Sequence, residues 1–60
     1  MSHVYNPEAD VVADIERMEM EARDVRRRLE QARHDADLRV LDRQLTELKE
    51  QINFLRARLP

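Results

Sequence analysis

The amino-acid sequence predicts an all-α fold: an antiparallel, coiled-coil-like two-helix hairpin that dimerises into a four-helix bundle. Three observations predict it, namely two heptad stripes of apolar residues, a change of phase between the stripes, and a composition typical of long helices. The 60 residues are 40% charged and 3% aromatic, and none is glycine. The first stripe comprises Val11, Ile15, Met18, Ala22, Val25, Leu29 and Ala32, and the second comprises Leu38, Leu41, Leu45, Leu48, Ile52, Leu55 and Leu59.

The phase change between the stripes predicts that the chain folds back on itself. Alternating steps of four and three residues place each stripe along one side of an α-helix. Continued along the chain, the first stripe reaches Arg39 and Arg43, whereas the second stripe occupies Leu38 and Leu41. A shift of two residues rotates the apolar side by roughly 200°. Because one straight helix cannot present both stripes to one partner, we expect a turn near Asp35.

The elements follow from local sequence preferences. Residues 1–6 show no periodicity and are predicted to be a flexible tail. Asn6 followed by Pro7 predicts a helix start, because Asn caps helices and Pro is tolerated at the first helical position. The first helix is predicted over about 7–33, the turn over about 33–36 and the second helix over about 36–59. Asp35 or Asp37 is predicted to cap the second helix, although no glycine or proline marks the turn.

The core of the hairpin is predicted from the larger stripe residues. They are Val11, Ile15, Met18, Val25, Leu29, Leu41, Leu45, Leu48, Ile52, Leu55 and Leu59. A turn at Asp35 also places three oppositely charged pairs beside this core, namely Arg26 with Asp42, Glu19 with Lys49 and Asp14 with Arg58. Each exposed pair contributes only about 0 to 1 kcal/mol, so we expect these pairs to favour a register rather than to stabilise the fold.

No arrangement of residues predicts catalysis, a metal site or a cofactor site. The absence of cysteine and glycine excludes thiolate ligands, disulfides and glycine-rich phosphate loops. Ser2 lies in the predicted tail, Thr46 has no histidine at helical spacing, and the segment 34–37 offers too few ligands for a metal. No apolar run approaches the roughly 20 residues of a membrane span. We therefore expect a non-enzymatic, cytoplasmic protein without cofactors or metals.

The same composition favours further association, because a lone hairpin covers only one side of each helix. Four apolar residues outside the stripes are the candidate oligomer or partner interface: Val12, Met20, Val40 and Phe54. Val40 and Phe54 are two heptads apart and share one column of the second helix, which Glu47 interrupts. We expect a homodimer that forms a four-helix bundle, with a larger protein as the other class of partner. The expected function is protein–protein interaction or self-assembly.

Arginines near the predicted turn form a candidate patch for an anion or a partner: Arg23, Arg26, Arg27, Arg28 and Arg33. Such a patch would bind a larger protein or the phosphates of nucleic acid, which gives the alternative function of a small regulator. Acidic residues interleave with these arginines and no aromatic residue offers base stacking, so nucleic acid is the less favoured ligand. Two other architectures stay open at this point, a domain-swapped pair and a continuous helix in an extended coiled coil.

Overall fold

The computed structural model describes residues 7–60, which form two α-helices joined by a short connection. Helix α1 spans Pro7–Gln31 and helix α2 spans Asp35–Arg56, and the two pack against each other. Because only residues 32–34 connect them, the helices run antiparallel. No strand occurs within residues 7–60. The all-α hairpin is therefore confirmed, and a continuous helix is wrong for this part of the chain. The predicted tail, residues 1–6, lies outside the described residues.

The connection between the helices is tighter than the sequence predicts. Helix α1 ends at Gln31 rather than near residue 33, and the Ala32 N–H still donates to the Arg28 carbonyl oxygen at 2.8 Å. His34 has extended backbone, with φ −103° and ψ 135°, and its carbonyl oxygen accepts the Leu38 N–H at 3.0 Å. No residue within 7–60 has a positive φ. The chain therefore reverses without the backbone freedom that glycine provides.

The capping prediction for the second helix is wrong. His34 is the N-cap residue, and its side chain makes no capping hydrogen bond. Asp35 and Asp37 lie within the first turn of α2, where the positive end of the helix dipole favours carboxylates. The helix begins one residue earlier than expected, because the extended backbone at His34 already completes the reversal. It also ends earlier, since the N–H groups of residues 58 and 59 bond to carbonyls three residues back.

The core lies between the helices, and the two apolar stripes supply its side chains. The buried residues, with exposed fractions of 3–8%, are Ile15, Ala22, Val25, Leu45 and Ile52. A central cluster of three buried side chains has three half-buried leucines packed against it, namely Leu29, Leu41 and Leu48. The other stripe residues are half-buried: Val11, Met18, Ala32, Leu38, Leu55 and Leu59. Outside the stripes, the described residues that are not exposed are Asp14 and Glu19.

The ion pairs beside the core differ from the predicted ones. A salt bridge joins the helices where Glu19 Oε1 lies 3.3 Å from Arg56 Nη2. Asp14 instead pairs along its own helix, with Arg17 at 2.6 Å. Within residues 7–60, the predicted pairs therefore do not form: Glu19 with Lys49, Asp14 with Arg58, and Arg26 with Asp42. Because ion pairs at the surface contribute little energy, the register of the helices does not by itself determine which partner a long charged side chain binds.

Candidate interaction surfaces

Two open grooves follow the seam between α1 and α2, one on each side of the hairpin. Ala22 and Ile52 line the first groove, whereas Val25 and Leu48 line the second. Because successive helical residues are about 100° apart, the charged side chains divide between the grooves according to their heptad positions. The two grooves therefore carry different charged groups although they share one core.

The first groove, called the basic groove below, is lined by four cationic side chains and one carboxylate: Arg23, Arg26, Lys49, Arg56 and Glu19. Each helix contributes two of the cations. The carboxylate is already engaged in the salt bridge between the helices. Among the described residues, none of Arg23, Arg26 and Lys49 takes part in a salt bridge. Like charges that lack counter-charges repel one another, so this groove favours an anionic partner.

The second groove, called the acidic groove, is lined by three carboxylates, one arginine and two glutamines: Glu21, Asp24, Glu47, Arg28, Gln44 and Gln51. Arg28 Nη2 lies 3.6 Å from Asp24 Oδ2. Glu21 and Glu47 are in no salt bridge within residues 7–60. Nearer the connection, the groove is lined by Arg28 and Asp37, one charge of each sign. The acidic groove therefore has its excess of negative charge near the middle of the hairpin rather than near the connection.

The acidic side also carries the exposed apolar side chains of α2. Val40 is 58% exposed and Phe54 is 66% exposed. Val40 lines the part of the acidic groove nearest the connection. The Arg58 guanidinium carbon lies 5.9 Å from the centroid of the Phe54 ring, which is within cation–π range. Helical spacing places the two apolar side chains about 21 Å apart in one column, with Glu47 between them.

Met20 and Val12 do not join this column. Met20 lies two residues from Ala22 and therefore about 200° around α1, on the outer surface of the helix. Its side chain is 67% exposed, and it lies next to Glu16 and to Glu19 and Arg23 at the edge of the basic groove. Val12 is 41% exposed and lies on the basic side, one heptad before Glu19. The four residues chosen from the sequence as one candidate interface therefore lie on three separate surfaces.

The five arginines chosen from the sequence as one patch are also divided. Arg23 and Arg26 line the basic groove, whereas Arg28 lies in the acidic groove and pairs with Asp24 there. Helical spacing places Arg27 on the outer surface of α1, and the exposed Arg33 lies in the connection. Proximity along the chain is thus a poor guide to proximity on a helix, where side chains share a side at spacings of three, four and seven residues.

Sequence reasoning missed the two cations that α2 adds to the basic groove, Lys49 and Arg56. They are seven residues apart, as are Glu19 and Arg26 on α1, so all four occupy equivalent heptad positions. In an antiparallel helix pair, equivalent flanking positions meet on the same side of the seam. The seven-residue spacing of these charged residues therefore predicts the basic groove from the sequence alone.

Other kinds of site are not evident in the part of the chain that the structure describes. No three His, Asp or Glu side chains converge there in a way that would hold a metal ion. Neither α1 nor α2 has an apolar stretch long enough to cross a bilayer. No family model, curated protein or solved structure matches this chain. The two grooves and the exposed column of α2 are therefore the candidate functional surfaces of residues 7–60.

Proposed function

We propose that this hairpin is a non-enzymatic protein–protein interaction and self-assembly module whose first assembled species is a homodimeric four-helix bundle. The observation that carries the proposal is the exposure of Phe54, 66%, in one column with the 58% exposed Val40. Aromatic side chains are the commonest anchors of protein interfaces, because each removes a large apolar area from water on contact. An exposed phenylalanine in a chain with so few aromatics is therefore the natural centre of a contact.

The shallow core supports the same proposal. The hairpin is one helix layer thick, with a thinnest extent of 12 Å between Cα atoms. Five hydrophobic side chains of the described chain are buried, and none has an exposed fraction below 2%. Domains normally bury their apolar residues between at least two layers. A second hairpin packed on the first supplies the missing layer, as in four-helix bundles.

The proposal is tested by sedimentation equilibrium over a concentration series, with small-angle scattering for the particle dimensions. We expect the mass to rise from that of one chain, 7.2 kDa, at low concentration to that of two chains or more at higher concentration. Phe54→Asp should weaken association by about tenfold or more, as for an aromatic anchor of an interface. Met20→Asp is the matched control, because Met20 is 67% exposed but lies on the outer surface of α1.

The two variants also show how the proposal fails. If Phe54→Asp and wild type associate with equal affinity, the column of Phe54 is not the contact surface. A larger effect of Met20→Asp would move the contact to the outer surface of α1. A wild-type chain that stays monomeric at every concentration would overturn self-assembly itself.

A second candidate function is a small regulator that binds a larger anionic protein, or nucleic acid, through its arginines. The basic groove favours this candidate, because it brings together Arg23, Arg26 and Lys49, which are in no salt bridge within residues 7–60. Arg26→Glu would then bind an acidic peptide more weakly than wild type does, with the same helicity. Titration of a labelled poly-glutamate peptide, followed by fluorescence anisotropy, measures this difference.

A further inference from the structure

We propose that two copies of this hairpin assemble with the acidic groove of one copy against the basic groove of the next, rather than through a two-fold contact. The proposal rests on the self-assembly proposed above and specifies its geometry. Its basis is the opposite charge of two surfaces on opposite sides of one hairpin. The occupant of each groove is accordingly a second copy of this chain.

A two-fold contact through the exposed column of α2 brings like charges together. Glu47 lies midway between Val40 and Phe54 in that column, seven residues from each. Pairing Val40 of one copy with Phe54 of an antiparallel copy therefore places Glu47 against its own counterpart. A parallel arrangement has the same effect. Like charges juxtaposed across an interface disfavour association, and the rest of the acidic groove provides only Arg28, which already pairs with Asp24.

The basic groove of a second copy removes this conflict. It supplies Arg23, Arg26 and Lys49, none of which has a salt-bridge partner within the described residues of its own chain. The acidic groove supplies Glu21 and Glu47, which are likewise in no salt bridge there. Arg23, Lys49, Glu21 and Glu47 lie near the middle of the hairpin, and Arg26 lies three residues nearer the connection. The two sets can therefore meet when the acidic side of one hairpin packs on the basic side of another. In this contact, the cations of one copy face the carboxylates of the other.

In this arrangement the exposed apolar column of α2 packs against the basic groove of the next copy. Arginine and lysine carry long aliphatic stems that pack on apolar surface while their charged ends stay solvated. The Phe54 ring already lies within cation–π range of Arg58, and its 66% exposed surface leaves room for a cation of the next copy. The side of a hairpin measures roughly 20 by 33 Å from helix diameter and rise. Two such sides bury about 1,300 Å², which lies within the range of specific interfaces.

This geometry does not close on itself. A contact between two different surfaces leaves one free acidic groove and one free basic groove on every pair, so further copies can add. A two-fold dimer, in contrast, uses the same surface on both copies and stops at two. Association is therefore expected to continue beyond the dimer at high concentration.

The test uses two charge-reversed variants of the full chain. Glu21→Lys with Glu47→Lys makes both grooves basic, and Arg26→Glu with Lys49→Glu makes both grooves acidic. All four positions are exposed, so circular dichroism should show the same helicity as wild type. We expect each variant alone to self-associate at least about tenfold more weakly than wild type, and an equimolar mixture to recover association. Sedimentation velocity at 50 mM and 500 mM NaCl provides the measurement.

The outcomes separate this inference from the proposed function. If the Arg26→Glu, Lys49→Glu variant associates as strongly as wild type, the basic groove is not in the contact and the inference is wrong, although self-assembly stands. If both variants lose association and the mixture does not recover it, complementary pairing is overturned. If wild type and the mixture are monomeric at every concentration and salt, both the inference and the proposed self-assembly fail.

Discussion

The two sides of the hairpin share one core but have opposite surface chemistry. Val25 and Leu48 lie beneath the acidic side, and Ala22 and Ile52 lie beneath the basic side, so the same apolar stripes support both. The basic side contains the salt bridge between the helices, whereas the acidic side contains a bridge within α1 and the exposed column of α2. The comparison shows that heptad position, rather than local composition, determines which surface a charged residue joins. Four predictions test that comparison.

The largest effect is expected from removing the support that both sides share. Leu45 is 8% exposed and belongs to the central cluster. Leu45→Ala should lower the free energy of unfolding by about 2–5 kcal/mol, because it leaves a cavity in a core with few buried side chains. Val40→Ala is the control, since Val40 is 58% exposed and should change stability by less than about 0.5 kcal/mol. Urea unfolding followed by circular dichroism compares the two, and equal effects would contradict the assigned core.

The next effect is that of salt on association. If opposite charges on the two sides meet, raising NaCl from 50 to 500 mM should weaken self-association by about tenfold, since the screening length falls well below 10 Å. Unfolding of the dilute monomer should change much less, because its core is apolar. Sedimentation equilibrium and thermal unfolding separate the two quantities. Association that strengthens with salt would instead indicate a contact between like-charged surfaces or an apolar one.

A smaller effect on association is expected at Glu47, where docking against the basic groove and a two-fold contact through α2 predict opposite changes. Glu47→Gln removes a carboxylate from the middle of the exposed column while keeping the side-chain shape. Docking against the basic groove predicts association weaker by about 0.2–1 kcal/mol, the usual contribution of an exposed pair. A two-fold contact through α2 predicts a change of the opposite sign, because a repulsion is removed. Glu50→Gln is the matched control, because helical spacing places the exposed Glu50 on the outer surface of α2, away from both grooves. Analytical ultracentrifugation provides the measurement.

The smallest effects should come from the two salt bridges that differ between the sides. Glu19→Gln removes the bridge to Arg56 on the basic side and should cost about 0.2–1 kcal/mol of unfolding free energy. Asp24→Asn removes the bridge within α1 on the acidic side and should cost about 0.3–0.5 kcal/mol. Both values should shrink at high salt. A cost above about 2 kcal/mol for either would show that these exposed pairs contribute more than such pairs usually do.

The helical hairpin could be predicted from the sequence because apolar periodicity reports which side of a helix is buried. The exact start of α2 could not be predicted, because no glycine or proline marks the connection. The N-cap residue is His34 rather than the predicted Asp35 or Asp37. The salt-bridge partners also could not be predicted from the sequence. Glu19 has cationic neighbours at two positions of α2, Lys49 and Arg56, and the energies that separate them are small.

The candidate surfaces were predictable only in part. Phe54 and Val40 were recognised as one column from their spacing, whereas Met20 and Val12 were grouped with them because they are apolar and lie outside the stripes. Arg23 and Arg26 were recognised as cationic but were grouped with chain neighbours that lie elsewhere, such as Arg27 and Arg28. Heptad position applied to charged residues as strictly as to apolar ones would have separated the two sides.

The connection of residues 32–34 separates two apolar stripes that differ in phase by two residues. It contains no residue with positive φ, and no glycine or proline interrupts helix formation on either side. A deletion of two residues there would bring the first apolar stripe into phase with the second. The product would carry one unbroken heptad repeat, which favours a single long rod paired with a second rod. One short deletion thus separates a compact hairpin from an extended rod that carries the same apolar stripes.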